Sequence, residues 1–277
     1  MKRSLKGSIP AMLILIIASL VVLYPILWVF LTSLKTTPDF LENIWGLPKV
    51  FVWDNYVKAW TKTKFTKNLM NSIIVTFGAM LIGLGFSTTS AYVISRYHFR
   101  TRNLLRAVYM MSMMVPTIIS LIPQYFMLRG MHLLDTRIGL ILIFGLAEIP
   151  FNIFMLLGFF QTIPSELEEA AFVDGANHYQ TFFRVMLPLA QPGIVTLAVT
   201  NFIAFWNEYY KPMVYLSSPD KFTIPVSLVN YTAQCQIRMS WGPLMASNML
   251  MIVPTAAVYC IFRKTIQSGL TAGAIKG

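Results

Sequence analysis

QTIPSELEEAAFVDGANHYQTFFRVMLP, residues 161–188, is a polar interruption between two long apolar stretches of a 277-residue chain. It holds four of the eleven acidic residues, namely Glu166, Glu168, Glu169 and Asp174. The chain is otherwise 56% hydrophobic and only 12% charged, which is far from the composition of a soluble globular protein. We therefore interpret the 161–188 segment as a structured loop that projects from an apolar bundle and is gripped by a soluble partner.

The 161–188 segment predicts two short helices separated by a glycine turn. Ser165 is placed to cap the first helix, and Glu168 three residues later completes the pattern of a capping box. Gly175 is a stop signal, because glycine readily takes the left-handed conformation that ends a helix. Asn177 is then placed to cap the second helix. An ordinary amphipathic surface loop is the alternative interpretation.

The spacing in this segment resembles the EAA motif of the membrane subunits of ATP-binding-cassette (ABC) importers. The match runs through Glu169-Ala170-Ala171, Gly175 and Leu187-Pro188, with Val185 where isoleucine is usual. The resemblance implies that the segment forms a coupling helix seated in a cleft of an ATPase subunit. The docking residues that it implies are Glu168, Glu169, Ala170, Ala171, Asp174, Gly175, Leu187 and Pro188.

Apolar stretches predict an all-α membrane protein with six transmembrane helices and a coupling-helix loop between the fourth and the fifth. About 20 apolar residues are needed to cross a bilayer as a helix. We expect a single permease domain over residues 1–277. The predicted spans are about 9–34, 69–94, 104–128, 138–160, 189–210 and 244–262, with the coupling loop at 161–188 and a carboxy-terminal tail at 263–277.

The first span, the third span and the tail each call for a further prediction. A signal peptide is the competing interpretation of 9–34, but the stretch is longer than a signal core and lacks a small-residue cleavage site. Pro116 and Pro123 are expected to bend the third span. The tail has few large apolar groups and is expected to be disordered when alone.

The net charge of +11 does not indicate nucleic-acid binding, because the basic residues flank apolar stretches and form no stripe with aromatic residues. Membrane-flanking charge explains them better. With six spans, the 22 lysines and arginines divide equally between the two sides. The basic amino terminus and the cluster formed by Arg96, Arg100, Arg102 and Arg106 favour both termini in the cytoplasm.

Polar residues inside the predicted spans are candidates for a substrate pathway. Glu148 is costly in mid-bilayer and is either functional or paired with a neighbour that the sequence does not identify. Aromatic faces beside amides and a carboxylate suit a polyhydroxyl ligand, although an interfacial aromatic belt is the alternative for Tyr209 and Tyr210. The pathway candidates are Glu148, Asn152, Asn201, Trp206, Asn207 and Glu208.

The resemblance extends to the second permease subunit of maltose-type sugar importers. The ending GLTAGAIKG at 269–277, the Trp206-Asn207-Glu208 run and the Ile163-Pro164 lead carry it. In that family such a tail reaches into the ATPase dimer, which implies ATPase contacts by Gly269, Gly273 and Lys276. The 211–243 loop matches the position of a family loop that projects towards the binding protein.

The resemblance implies a membrane subunit and not an enzyme. Its expected partners are a second permease subunit, two ATPase subunits, an extracytoplasmic binding protein, an oligosaccharide and membrane lipid. No catalytic residue, metal site or cofactor is expected in this chain, since it lacks a phosphate-binding GxxxxGK[ST] loop, and ATP and Mg²⁺ are used by the partner ATPase. The expected location is the bacterial or archaeal cell (inner) membrane.

Two further functions remain as alternatives. An ABC importer for a solute other than sugar would share the coupling helix. A secondary transporter would use Glu148 or Glu208 as proton carrier, but the expected internal repeat is not visible. A membrane enzyme is disfavoured, because the sequence shows no cluster of acid, base and nucleophile.

Overall fold

The computed structural model describes the backbone of residues 9–274 and the side chains of residues 11–261. Within residues 9–274 the regular structure consists of helices, with no β-strand. The chain forms two compact units, one from residues 1–66 and 227–254 and the other from residues 67–226 and 255–277. The all-α prediction is confirmed for the described part of the chain.

The first unit is built around a long amino-terminal apolar helix. Its elements, in whole or in part, are α1 (Ile9–Ser33), α2 (Thr37–Glu42), α3 (Asp54–Lys62), α14 (Ile224–Ile237) and α15 (Trp241–Ala274). The buried side chain of Asn55 in α3 donates hydrogen bonds of 2.9 Å to the carbonyl oxygens of Ser33 and Lys35. This amide ties the end of α1 to α3. The core of the unit includes Ala59 and Tyr231.

The second unit contains the candidate site. Its elements are α4 (Phe65–Arg96), α5 (Arg102–Ser112), α6 (Leu121–Gly130), α7 (Arg137–Ala147), α8 (Ile149–Thr162), α9 (Glu166–Val173), α10 (His178–Thr181), a π-helical turn (Phe182–Met186), α11 (Leu187–Leu189), α12 (Gln191–Asn207), α13 (Tyr210–Tyr215) and a 3₁₀ turn (Pro219–Lys221). One apolar cluster surrounds Phe160 and Met186, and a second surrounds Phe144 and Phe205.

Three helices of the described residues are long and apolar enough to cross a membrane, namely Ala11–Ser33, Phe65–Arg96 and Trp241–Ile261. Two bent pairs raise the number to five if each pair is one span. The pair α7 and α8 bends by 41°, and the pair His178–Leu189 and Gln191–Asn207 bends by 71°. The described chain is therefore an apolar helical protein with three to five candidate spans.

The predicted third span, 104–128, is divided between α5 and α6 by a non-helical stretch at 113–120. Pro116 lies in this break, because a proline disfavours the helical conformation of the residue before it. Pro123 does not bend a helix, which corrects the prediction. It lies in the first turn of α6, where its missing N–H has no helical partner in any case.

The last helix, α15, continues to Ala274 and includes the first part of the predicted tail. Within the full chain the backbone of 263–274 is thus helical, whereas the expectation of disorder concerns the tail alone. The helix continues because this stretch contains no proline, and an isolated glycine costs a helix only about 1 kcal/mol. Gly269 and Gly273 lie in the helix, whereas Lys276 is outside the described residues.

Candidate functional site

The helix α9 begins without the predicted serine cap. Ser165 has helical backbone angles, φ −68° and ψ −25°, and its side chain makes no capping hydrogen bond to the described backbone. A capping serine needs an extended backbone, so the hydroxyl of Ser165 does not reach forward to the N–H of Glu168. Glu168 therefore does not complete a capping box, and its carboxylate turns inwards. The three glutamates of the first turn still suit the positive end of the helix.

The end of α9 is a glycine turn of the predicted kind. Gly175 has φ +83°. Its N–H donates to the carbonyl of Phe172 at 3.0 Å, and the N–H of Ala176 donates to the carbonyl of Ala171 at 3.0 Å. This pair of bonds is the Schellman motif, which requires a left-handed residue at this position. A Cβ added to Gly175 would meet no described atom within 4 Å, so backbone conformation alone favours glycine here.

The second short helix begins with the predicted asparagine cap. The side chain of Asn177 accepts a hydrogen bond of 2.9 Å from the N–H of Gln180. The side chain of Gln180 accepts one of 2.9 Å from the N–H of Asn177 in return. This reciprocal pair is a capping box, so the cap prediction at Asn177 is confirmed.

A buried polar network joins α9 to the end of α4. The hydroxyl of Tyr92 donates a hydrogen bond of 2.5 Å to Oε1 of Glu168. Nε of Arg96 lies 3.5 Å from Oε2 of the same carboxylate, and both side chains are at least 86% buried. A carboxylate at this depth is stable only when it is paired, and both of its oxygens have a partner here. Glu168 is thus part of the interior rather than of the exposed helix surface.

Arg96 also closes the end of α8. Its Nη2 donates hydrogen bonds to the carbonyl oxygens of Phe160 at 2.9 Å and Ile163 at 2.5 Å. The last carbonyls of a helix have no partner inside the helix, so a guanidinium there stabilises the helix end. One arginine therefore connects α4, α8 and α9.

Aromatic side chains support the far end of the 161–188 segment. The hydroxyl of Tyr97 and Nδ1 of His178 are 2.9 Å apart. The His178 ring also packs edge-on against the rings of Tyr97 and Phe172. These contacts link α10 to both α9 and the chain after α4, so the two short helices form one supported unit.

The outer surface of α9 is largely exposed within the described chain. Glu169, Ala170 and Asp174 are exposed and Ala171 is half-buried. Val173 is 87% exposed, although it is a large apolar residue. Leu187 packs against the cluster around Phe160 and Met186, whereas Pro188 is exposed. Of the eight predicted docking residues, Glu168 and Leu187 therefore face inwards.

The pathway candidates lie on α8, α12 and the residues beside them. Glu148 lies at the bend between α7 and α8, and the ammonium of Lys211 is the positive charge that acts on it. Asn207 donates to the carbonyl of Ile203 at 2.8 Å. Oε1 of Glu208 accepts a hydrogen bond of 2.8 Å from the N–H of Tyr210, so this carboxylate holds the start of α13.

Three of these candidates are buried and have polar atoms without a partner among the described residues. They are both amide atoms of Asn152, Nδ2 of Asn201 and Nε1 of Trp206. Each of the three side chains is no more than 3% exposed. Buried polar groups in folded proteins nearly always have a hydrogen-bond partner. Among the predicted pathway residues, these three therefore have hydrogen-bonding atoms that the described chain does not use.

A family model described as "binding-protein-dependent transport system inner membrane component" matches residues 81–272, which is more than half of the chain and includes the 161–188 segment. The chain belongs to this family. It is thus a permease subunit of an ABC importer and not an enzyme.

Individual relatives agree with the family. The permease is 33% identical over 95% of its length, and 87% of the relative's, to the diacetylchitobiose uptake system permease protein NgcG of Streptomyces coelicolor. It is 33% identical to the trehalose transport system permease protein SugB of Mycobacterium tuberculosis, over 92% of this chain and 93% of SugB. A crystal structure of a bacterial ABC transporter that imports the acidic polysaccharide alginate is similar, with a TM-score of 0.82, 26% identity, and coverage of 95% of this chain and 98% of that one.

Three partners in the site of the permease leave little or no signal in the sequence. Tyr92 lies in an apolar stretch, with no sign of the carboxylate that it contacts. Arg96 was assigned to membrane-flanking charge, although its guanidinium is internal. Lys211 begins a polar loop after Glu208, and its charge near Glu148 depends on the turn at 208–209. The one signal for this network in the sequence is that Tyr92 and Arg96 lie one helical turn apart at the end of a predicted span.

Proposed function

We propose that this permease subunit imports a sugar, specifically an oligosaccharide, delivered by an extracytoplasmic binding protein. The family description supports dependence on a binding protein. The names of the relatives support a carbohydrate, since they specify diacetylchitobiose, trehalose and alginate. Three buried side chains with unused hydrogen-bonding atoms suit a ligand with many hydroxyl groups.

The proposed architecture is one permease domain with six spans. α5 and α6 together form the third span around the break at Pro116, the bent pair of α7 and α8 forms the fourth, and α12 forms the fifth. Both termini and the coupling loop 161–188 lie in the cytoplasm in this arrangement, and the membrane is the bacterial or archaeal inner membrane. Bends within a span are compatible with this arrangement, because neighbouring helices can satisfy the backbone groups that a bend frees.

The exposed ridge of α9 is the proposed ATPase-docking surface. Glu169, Ala170 and Asp174 lie on it, with the thin alanine side chain allowing close approach of another helix or strand. Gly175 ends the helix, and the burial of Glu168 against Tyr92 and Arg96 fixes its direction. This fixed, outward-facing helix is the observation that carries the proposal. Leu187 and Pro188 then act by positioning the segment, and the helix containing Gly269 and Gly273, with Lys276 beyond it, contributes further ATPase contacts.

In the proposed complex a second permease subunit completes the pathway and two ATPase subunits bind and hydrolyse ATP with Mg²⁺. ATP-driven closure of the ATPases moves α9, and this motion switches the spans between inward and outward access. Coupling requires α9 to bind the open and closed ATPases with different affinity, because a contact of equal strength in both states shifts no equilibrium. Glu148, Asn152, Asn201, Trp206, Asn207 and Glu208 are the proposed pathway residues.

The test is uptake by cells that lack this gene and are complemented with it. Radiolabelled di- and oligosaccharides are supplied singly, with amino acids and a dipeptide as controls. We expect restored uptake of at least one saccharide, abolished when the partner ATPase carries an inactive ATP site. Uptake restored only for a control solute would contradict the carbohydrate assignment and leave the family membership intact.

A further inference from the structure

A groove of about 370 Å³ lies between α5 and α8, and none of the proposed docking or pathway residues lines it. This volume is in the usual range for a site that holds a small organic ligand. α5 packs on α8, yet none of the residues of α5 is buried. The lining is mostly apolar, with Met110 from α5 and Phe154 from α8, and both of these side chains are about half exposed. The groove is therefore open to whatever surrounds the helices.

One end of the groove is polar and cationic. Arg106, Gln161 and Thr162 line this end. Arg106 is half-buried, and its guanidinium makes no hydrogen bond or ion pair to any side chain or carbonyl of the described residues. By contrast, Arg96 and Arg102 of the same cluster are bound to carbonyl oxygens. Arg106 thus offers an unused positive charge at the mouth of an apolar groove.

The polar end lies at the level of the coupling helix. Arg102, one helical turn before Arg106, binds the carbonyls of Ile94 and Ser95 at the end of α4. Thr162 is the last residue of α8, four residues before α9 begins. In the proposed orientation this end faces the cytoplasmic leaflet, whose anionic lipids attract basic side chains.

The length of the groove fits one leaflet of a membrane. Along α8 it runs from Pro150 to Thr162, which at 1.5 Å per helical residue is about 18 Å. Half of the hydrocarbon thickness of a bilayer is about 15 Å. An acyl chain that lies along the groove therefore places its headgroup beside Arg106.

We propose that this groove binds an anionic phospholipid, with an acyl chain along α8 and the headgroup phosphate on Arg106. The anionic headgroup matches the cationic end of the groove, and the acyl chain matches its apolar lining. The bound lipid fills the space between α5 and α8 and stabilises the end of α8 from which the coupling helix begins. The choice of leaflet rests on the proposed function, whereas the groove and its charge do not.

The test uses the full complex of this chain with its second permease and ATPase subunits, purified in mild detergent. The probes are phosphatidylglycerol and phosphatidylcholine, each with a photoactivatable diazirine in the acyl chain, and labelled peptides are located by mass spectrometry. We expect phosphatidylglycerol to label peptides of α5 and α8 several-fold more than phosphatidylcholine does. Equal labelling by the two lipids would overturn the role of the charge.

Two variants separate the headgroup contact from the acyl contact. Arg106→Gln is expected to lower phosphatidylglycerol labelling about fivefold, as loss of one basic side chain near an anionic headgroup implies. Arg100→Gln is the matched control, because Arg100 is exposed in the same cluster and does not line the groove. Gly158→Phe fills the groove while Arg106 is retained, since a side chain at Gly158 meets no described atom within 4 Å at its Cβ. It is expected to reduce labelling by both lipids.

Labelling that is unchanged in Arg106→Gln or in Gly158→Phe would overturn the proposal for that part of the lipid. The second permease subunit is the competing occupant of the groove. If Met110→Cys cross-links to that subunit and neither lipid labels α5 or α8 in the wild-type complex, the groove is a subunit interface and the lipid proposal is wrong. Because the lipid comparison uses the wild-type chain, it does not depend on the stability of any variant.

Discussion

The hydroxyl of Tyr92 donates a hydrogen bond of 2.5 Å to Oε1 of Glu168, across 76 positions of the chain. Tyr92 lies near the end of α4, and Glu168 lies in the first turn of α9. Arg96 forms an ion pair with the other carboxylate oxygen. α9 is therefore attached to α4 by two side chains one helical turn apart. We therefore expect a displacement of α9 to be passed to α4 and, through the carbonyls bound by Arg96, to α8.

Replacing Tyr92 with phenylalanine removes one of these two attachments and keeps the ring. We expect the complex to lose about 1.5–3 kcal/mol of local stability, the usual range for a hydrogen bond to a charged group. Transported sugar per ATP hydrolysed should fall, as measured in proteoliposomes. Tyr179→Phe is the control, since Tyr179 is 79% exposed. Equal transport-to-hydrolysis ratios in the two variants would refute the attachment role.

Glu168 and Glu169 are neighbours in sequence, and we expect opposite consequences from changing them. Glu168→Gln leaves the buried Arg96 without its counter-charge and should lower the thermal stability of the complex, by about 3 kcal/mol. Glu169→Lys alters an exposed residue and should change stability by less than about 0.5 kcal/mol, while weakening ATPase binding. Thermal denaturation and co-purification of the ATPase measure the two effects. A stable, fully assembled Glu168→Gln complex would contradict the buried network.

Gly175 should tolerate asparagine better than alanine. Its positive φ costs a residue with a Cβ about 1–2 kcal/mol, whereas asparagine visits this region more readily. Since no described atom hinders a Cβ there, size alone should not matter. We expect Gly175→Ala to reduce sugar uptake and Gly175→Asn to restore most of it. Gly85→Ala, in the middle of α4 with equal space around it, serves as the control and should leave uptake unchanged.

Asp135 predicts a pH dependence at the loop between α6 and α7. Burial would raise the pKa of its carboxyl, but hydrogen bonds from Ser218, Lys221 and Ser217 outweigh burial and hold the pKa well below its usual range. The stabilisation is therefore complete above the unfolded pKa of about 4 and is lost as the pH falls towards the lower folded pKa. We expect Asp135→Asn to lower the melting temperature at pH 7.

The same substitution should matter less in acid. Asparagine is compatible with the positive φ of 55° at this position, so the backbone is preserved. The difference in melting temperature between wild type and Asp135→Asn should narrow as the pH is lowered from 5 to 3. A difference that is constant over this range would show that ionisation of Asp135 does not stabilise the loop.

Local signals in the sequence predicted local structure well. The glycine stop at Gly175 and the cap at Asn177 depend on a few neighbouring residues, and both were predicted correctly. The capping box at Ser165 failed because a tertiary contact took its glutamate: Tyr92 and Arg96 offer Glu168 stronger partners than a backbone N–H does. No pattern within the 161–188 segment could have revealed these partners.

Helix breaks were harder to predict than helix composition. The sequence showed six apolar stretches, but their continuity depends on how neighbouring helices satisfy the freed backbone groups. Pro116 interrupts its stretch, whereas Pro123 starts a helix and Pro254 lies inside one. The bend at Glu148 lies just before Pro150, which disrupts the preceding helical turn, whereas Lys211, whose charge acts on Glu148, comes from a distant part of the chain. Such outcomes depend on the tertiary structure.

The hydrogen bonds from Arg96 to the carbonyls of Phe160 and Ile163 hold the end of α8 rigidly against α4. We expect a helix end that is held in this way to move together with its partner and not to unwind. If α9 is displaced, we expect bending at the two bends on either side of the 161–188 segment, which are the 41° bend beside Glu148 and the 71° bend beside Ala190. The first of these joints carries Glu148, a proposed pathway residue, so we expect a displacement of α9 to act where the transported sugar would pass.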